Sequence, residues 1–364
     1  MDKTDSKFEY DMRMRCAVRS CAGIIYGTQY DGKFIVKMNP DDGSSDFLKG
    51  IDSNCLSGVF GTCDENSIYI PSFFGEVTMR YSIAENKVEF LPLGMEKISD
   101  VMSALSFVTV FEDKLYIFAT FSNEVYITDL LRGSVSSAPI CIKKEKGEPG
   151  EIYSSNGIRQ GNRVFLFSPF YNGIICFDLT QMKSELYRSD SFFRFKCGVK
   201  NRNDFYFLSD EEGIYKGKVS GGNIQTELLI PKEKYCEGGS LGKIAVTDTN
   251  IWLLPGHGST IKIYNFDTRE IKNYTNIPDD HKYLLYTDDY LKYELYFETE
   301  EKYYFWNFVQ THYLEIDKRS GSCRWVKPVM NDSKENIHCF LEGLNPLQER
   351  DVGLEGFISL ITKV

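Results

Sequence analysis

The sequence is short of the features that usually announce a function. Its most apolar stretch, Val101 to Phe111, is eleven residues between Asp100 and Glu112, against the roughly 20 that a membrane-crossing helix needs. No membrane association is expected. The opening residues, MDKTDSKFEYDMRMRC, are charged throughout and lack the apolar core of a secretory signal, so the expected location is cytoplasmic. Ten cysteines occur without a single CxxC pair; that excludes a zinc knuckle and a thioredoxin-type dithiol and leaves free thiols. Histidine is scarce, with four in the chain. A GxSxG elbow, a P-loop, an HExxH helix and a dinucleotide fingerprint are all missing. No cofactor and no metal are expected.

Cationic runs are also lacking. Lys and Arg number 42 against 52 Asp and Glu, a formal charge of -10. The longest basic run, Lys143-Lys144-Glu145-Lys146, is broken by its own carboxylate and followed by Gly147 and Pro149, the pattern of a solvated loop. A nucleic-acid partner is not expected, because the phosphate backbone would meet net repulsion.

What is present is repetition. An aliphatic or aromatic residue followed by an aromatic one recurs at Ile25-Tyr26, Ile68-Tyr69, Leu115-Tyr116, Val164-Phe165, Phe205-Tyr206, Ile251-Trp252 and Tyr303-Tyr304, in steps of 43, 47, 49, 41, 46 and 52 residues. About thirteen residues beyond each aromatic lies a polar turn, as in Asn39 to Gly43, Asp129 to Gly133, Asp178 to Gln181 and Asp317 to Gly321. In the sixth repeat Asp267 comes two residues late, and the second and fifth repeats have weaker turns around Ser82 and Ser220. Each repeat reads as strand, short loop, strand, turn, strand, with a further apolar strand before the aromatic pair.

Seven four-stranded units of this length are the arithmetic of an all-β, seven-bladed β-propeller of antiparallel blades. One such sheet cannot bury both faces alone, so the chain is expected to be one ring over residues 13–330. A pair of β-sandwiches is the rival architecture. Phe and Tyr, 26 and 23 in number, suit the wedge between splayed sheets. Residues 1–12 are expected to form a tail. Residues 331–364 are expected to add a closing strand, Ile337-His338-Cys339-Phe340-Leu341, and a short C-terminal helix. That helix has Leu354, Phe357, Ile358 and Ile361 at helical spacing behind Asp351, packing on the propeller.

The pattern resembles the broad superfamily of Kelch-like and streptogramin-lyase-like propellers. In them a blade reads aliphatic-aromatic strand, variable loop, strand ending in an Asp-containing turn, strand. The resemblance covers the repeat and no subfamily signature. Kelch blades carry Gly-Gly directly after the second strand, whereas Gly221-Gly222 and Gly238-Gly239 lie elsewhere.

By analogy with such propellers, the loops joining second and third strands converge on one face around the channel. Three of them, SFFGE, TFSNE and SPFYN, place an aromatic beside an amide or carboxylate. A ring for stacking and a polar group for orientation suit a protein, peptide or glycan partner. The candidate ligand-binding residues are Phe74, Phe121, Asn123, Phe170, Tyr171 and Asn172. The alternative is inheritance of loop residues along with the repeat. Asp210-Glu211-Glu212 reads as a solvated acidic turn. The expected role is a binding or scaffolding module; the other reading is a lyase or hydrolase using the same face. There His257, in Pro255-Gly256-His257-Gly258, and His312 would supply a general base and a metal or substrate contact, as the resemblance to streptogramin lyases implies.

Overall fold

The computed structural model describes residues 14–20, 22–29, 34–50, 61–72, 77–93, 105–120, 122–143, 148, 156–189, 194–235, 241–256, 260–278, 294–299, 301–306 and 312–331. Among the described residues the strands group into seven antiparallel meanders of four, in chain order. Unit 1 contains β1 (Met14–Arg19), β2 (Ile25–Gln29), β3 (Phe34–Met38) and β4 (Ser44–Gly50). Unit 2 contains β5 (Thr62–Cys63), β6 (Ser67–Pro71), β7 (Val77–Ser82) and β8 (Lys87–Pro92). Unit 3 has β9 (Leu105–Phe111), β10 (Lys114–Ala119), β11 (Glu124–Asp129) and β12 (Val135–Pro139). Unit 4 has β13 (Asn156–Gln160), β14 (Arg163–Phe167), β15 (Gly173–Asp178) and β16 (Lys183–Ser189). Unit 5 is built from β17 (Cys197–Asn201), β18 (Asp204–Ser209), β19 (Gly213–Ser220) and β20 (Asn223–Pro231). Unit 6 is built from β21 (Leu241–Val246), β22 (Asn250–Pro255), β23 (Lys262–Asn265) and β24 (Ile271–Asn273). In unit 7 are β25 (Glu294–Glu298), β26 (Lys302–Trp306), β27 (Tyr313–Asp317) and β28 (Cys323–Val326), followed by β29 (Val329–Met330).

The first strands touch in the order β1, β5, β9, β13, β17, β21, β25, and β25 returns to β1. This cyclic order is the mark of a propeller. Each aliphatic-aromatic pair lies on the second strand of its unit, and those strands are almost wholly buried, as in β6, β14 and β22. The core lies between sheets, not within one. Val18, Tyr26 and Ile35 of unit 1 pack with Ile68, Ile70 and Met79 of unit 2. Equivalent clusters join units 3 to 4, 4 to 5, 5 to 6 and 6 to 7. Neither face of a sheet can be left in water at about 25 cal/mol per Å² of apolar surface, which is why the repeat must close on neighbours.

The polar turns between third and fourth strands share one construction in five units. Asn39, Asp129, Asp178, Asn265 and Asp317 each stand thirteen residues after the unit's aromatic. Each side-chain oxygen accepts from a backbone N–H two residues on, at 2.9–3.0 Å. The N–H of the fifth residue returns to the first residue's carbonyl at 2.8–3.0 Å. That fifth residue is left-handed: Gly43 (φ 77°), Gly133 (68°), Met182 (56°), Arg269 (57°) and Gly321 (69°). The sixth repeat is therefore in register, because Asn265 and not Asp267 is its capping residue; an amide oxygen accepts as a carboxylate does. The fifth repeat makes a two-residue hairpin on Gly221 and Gly222, both at positive φ, the geometry that matches strand twist.

The second residue of these turns clasps the preceding unit. Leu130 packs with the Tyr69 cluster of unit 2. Leu179 is buried in the unit 3–4 core, and its carbonyl accepts from the Tyr116 hydroxyl at 3.4 Å. Phe266 meets the Tyr206 ring at 6.2 Å. Pro40 does the same across the ends of the chain: its carbonyl accepts from the Tyr313 hydroxyl at 3.0 Å and from Arg324 Nη2 at 2.7 Å. Arg324 is held by buried Glu315, which also binds Lys302 Nζ at 2.8 Å. Beyond this clasp, β29 runs parallel to β4, with Val329 N–H donating to the Gly43 carbonyl at 2.8 Å. The expected closing strand at 337–341, the C-terminal helix and the N-terminal tail lie outside the described residues.

Candidate functional site

The loops between second and third strands leave one end of the sheets, and the clasping turns leave the other. In unit 4 the loop runs from Ser168 to Gly173. Phe170 donates its N–H to Ser168 Oγ at 3.2 Å. Gly173 donates its N–H back to the Tyr171 carbonyl at 2.9 Å, a tight three-residue turn. A Cβ on Gly173 would lie 2.1 Å from the Tyr187 carbonyl oxygen, at φ 147°. Gly213 opens the third strand of unit 5 in the same way, 2.1 Å from the Ile230 carbonyl oxygen at φ 141°. These two glycines set the end of the loop.

The tight turn sends the two neighbouring aromatics in opposite directions. Phe170 is 42% exposed, while Tyr171 is fully buried among Tyr116, Phe118, Ile175 and Phe177. Burial, with the nearby Glu148 charge added, pushes the Tyr171 phenol up to about 12. Tyr171 is thus a core residue and does not present its ring to a ligand, which corrects the expectation from sequence. Asn172 is half-buried and fastens the loop to β16: its Nδ2 donates to the Ser189 carbonyl at 3.5 Å, and its own carbonyl accepts from Ser189 N–H at 3.4 Å. Asn123 is exposed, and its carbonyl accepts from Ile140 N–H at 2.6 Å. Phe74 and Phe121 lie outside the described residues.

The electrostatics beside this loop come from Arg188. It binds Glu148 through Nη1–Oε1 at 2.5 Å and Nη2–Oε2 at 3.1 Å, and Nη2 also reaches the Lys143 carbonyl at 2.9 Å. Both side chains are largely buried, a bidentate fork that pins the connector between units 3 and 4 to the outer strand of unit 4. Forty residues separate the partners, so no local pattern could have revealed the pair.

In unit 5 the acidic turn is braced. Asp210 pairs with Lys196 Nζ at 3.2 Å, and Lys196 also reaches the Leu241 carbonyl at 3.0 Å. Lys232 binds the Asp210 carbonyl, and the Tyr215 hydroxyl donates to Glu212. All three acids are exposed. Among the described residues no group of His, Cys, Asp and Glu is placed to hold a metal ion. His312 is half-buried directly before β27, and His257 lies outside the described residues. Chemically, this end offers an exposed phenyl ring on a braced loop.

No protein-family model and no curated protein matches the sequence. Solved structures do. A streptogramin B lyase superimposes with a TM-score of 0.57 at 12% identity, covering 83% of this chain and 92% of that one. The extracellular domain of a putative one-component system from B. thetaiotaomicron gives 0.51 at 13% identity; the match covers 89% of this chain but only 46% of the other. BamB from Moraxella catarrhalis gives 0.52 at 9% identity, covering 80% and 81%. At such identities the likeness is one of fold: the chain is an all-β protein built as these β-propellers are.

Proposed function

We propose that the chain is a seven-bladed propeller of four-stranded blades, residues 13–330, that serves as a binding or scaffolding module. The seven meanders and the cyclic contact of their first strands support the blade count. The partner is a protein, peptide or glycan, met by the loops between second and third strands. The observation that carries this reading is Phe170, held half in solvent by a turn that buries its neighbour Tyr171. An aromatic ring left 42% exposed on a braced turn offers stacking area and loses little entropy on binding. Phe74 and Phe121 are the matching residues in the two preceding repeats.

The test is affinity capture from native lysate with wild type beside the Phe74→Ala/Phe121→Ala/Phe170→Ala variant. A partner retained by wild type and lost from a folded triple variant is the expected result. Equal retention by both rejects this face. The lyase or hydrolase alternative rests on His257 and His312; His257→Ala should then abolish turnover of a captured small molecule, and undiminished turnover rejects it. The cytoplasmic location remains part of the proposal, and fractionation checks it.

A further inference from the structure

The outer strands of the sheets differ in how their free edges are protected. A bare edge invites another strand, so edges are normally covered or charged. The β4 edge is met by β29. The β16 edge is met by β20, by Lys143, whose carbonyl accepts from Arg188, and by Cys141, whose N–H and carbonyl both pair with Ser184 Oγ at 2.7 and 3.0 Å. Strands β8, β20, β24 and β28 carry Lys87 and Glu89, Glu227, Lys272 and Arg324. Among the described residues, strand β12 over Val135–Pro139 is met by no other strand on its outer side and carries no charge. From Gly133 to Ile142 the sequence GSVSSAPICI holds no charge.

The register shows which groups of β12 are free. Asp129 N–H bonds the Ser134 carbonyl, and Ile140 N–H bonds the Asn123 carbonyl. In an antiparallel pair bonded and non-bonded positions alternate, so Ser136 and Ala138 face β11 while Val135, Ser137 and Pro139 turn their backbone groups outward. Cys141, next in that outward series, is the residue whose N–H and carbonyl are both taken by Ser184. Val135 is 41% exposed, and Leu131 at the strand's entrance is 79% exposed. Arg132 and Lys143, both exposed, bracket the neutral run; Arg132 lies near enough to Asp129 to lower its carboxyl.

We propose that β12 is a docking edge for an extended segment of a partner protein, uncharged at its centre and acidic at its ends. That segment would add to unit 3 as a fifth strand. Outward N–H and carbonyl groups at Val135 and Ser137 supply the ladder, and Pro139 ends it for want of an N–H. Arg132 and Lys143 select the acidic ends. The edge meets the loop face only at its far end, where Ile140 bonds Asn123; Ser137→Pro lies away from that end and Phe170→Ala lies in another unit, so the two assignments are tested apart.

The probe is an eleven-residue peptide with blocked termini, DEVTVTVTVED, beside its counterpart KKVTVTVTVKK. Binding is followed by fluorescence anisotropy, and amide exchange is followed at Val135 and Ser137. The acidic peptide should bind and slow exchange at both amides. Ser137→Pro removes an outward N–H that no internal bond uses, so the fold should persist while affinity falls at least tenfold. Arg132→Glu with Lys143→Glu should reverse the preference between the peptides, and this pair tests the proposal even where the proline variant folds poorly. Absence of binding by wild type, or undiminished binding by folded Ser137→Pro, overturns it. A concentration-dependent dimer of wild type, lost in Ser137→Pro, assigns the edge to a second copy and overturns the choice of partner.

Discussion

The two ends of the sheets are built on different rules. At one end, five of the seven turns between third and fourth strands repeat the same capping oxygen, the same backbone closure and the same left-handed fifth residue. At the other, the loops between second and third strands differ in length and in bracing. Unit 4 fastens its loop through Asn172 and unit 5 through Lys196 and Lys232. The repeated end clasps the preceding unit and so carries the ring. The varied end joins units by single bonds, such as Lys196 to the Leu241 carbonyl, and not by a repeated turn, so its loops can differ from unit to unit.

The comparison breaks most sharply at Gly43. A Cβ there would lie 2.3 Å from the Lys327 carbonyl oxygen at φ 77°, whereas a Cβ on Gly133 at φ 68° meets nothing within 4 Å. Gly43→Ala should therefore cost about 3–5 kcal/mol, the left-handed penalty plus overpacking, and Gly133→Ala only about 1–2 kcal/mol. Denaturant titration of both measures the difference, which belongs to the contact between the chain's ends. Equal losses would mean that Lys327 gives way and that the clasp is soft.

At the varied end the adjacent rings make the next test. Tyr171→Ala empties a fully buried site and should cost about 3–4 kcal/mol. Phe170→Ala removes a ring that is 42% exposed and should stay within about 1 kcal/mol of wild type in stability. Partner binding should respond to Phe170→Ala. A large stability loss from that change would make Phe170 a core residue too.

The closing clasp also has a pH signature. Burial alone would raise the Glu315 carboxyl, but bonds from Arg324 and Lys302 outweigh it and hold the group below the usual carboxylate range. The Tyr313 phenol beside it is pushed up by burial and stays neutral, and Asp41 adds its charge on the Arg324 side. A carboxyl depressed in the folded state stabilises fully above its unfolded value, near 4.5, and that contribution fades as pH falls through the folded value. Glu315→Gln should cost about 2–3 kcal/mol at pH 7, leaving Lys302 and Arg324 without their anion. The gap from wild type should narrow as pH is lowered from 5 to 3. A gap independent of pH would show that shape, not charge, holds the clasp.

Much of this architecture was legible in the sequence, because its causes are local. An aromatic on every second strand and a capping side chain thirteen residues later are visible without partners. In the sixth turn the acidic Asp267 suggests a late cap, but Asn265, two residues earlier, supplies the equivalent oxygen. The candidate site was legible only as a set of loops. Whether Phe170 or Tyr171 faces water depends on the turn at Gly173, and the Arg188–Glu148 fork joins residues forty apart. Neither follows from alternation or composition. The same limit hid the Pro40 clasp, whose partners Tyr313 and Arg324 stand at the far end of the chain.

The finest test of the repeated turn lies at its fifth residue, where units 4 and 6 use Met182 and Arg269 in place of glycine. Both are left-handed, at 56° and 57°, a conformation that costs an L-residue about 1–2 kcal/mol, while glycine's freer unfolded chain returns about 0.5–1 kcal/mol of that gain. Arg269 is exposed, and no side-chain bond of it is seen among the described residues, so Arg269→Gly should stabilise the fold by about 0.5–1 kcal/mol. Met182 has the same backbone but packs against the cluster around Tyr116 and Tyr171, so Met182→Gly gives up that packing and should be neutral or destabilising. Thermal denaturation of the two variants separates backbone from side chain at one position of one motif. If both stabilised equally, the Met182 contact would be worth nothing, and glycine would be the better residue wherever this turn recurs.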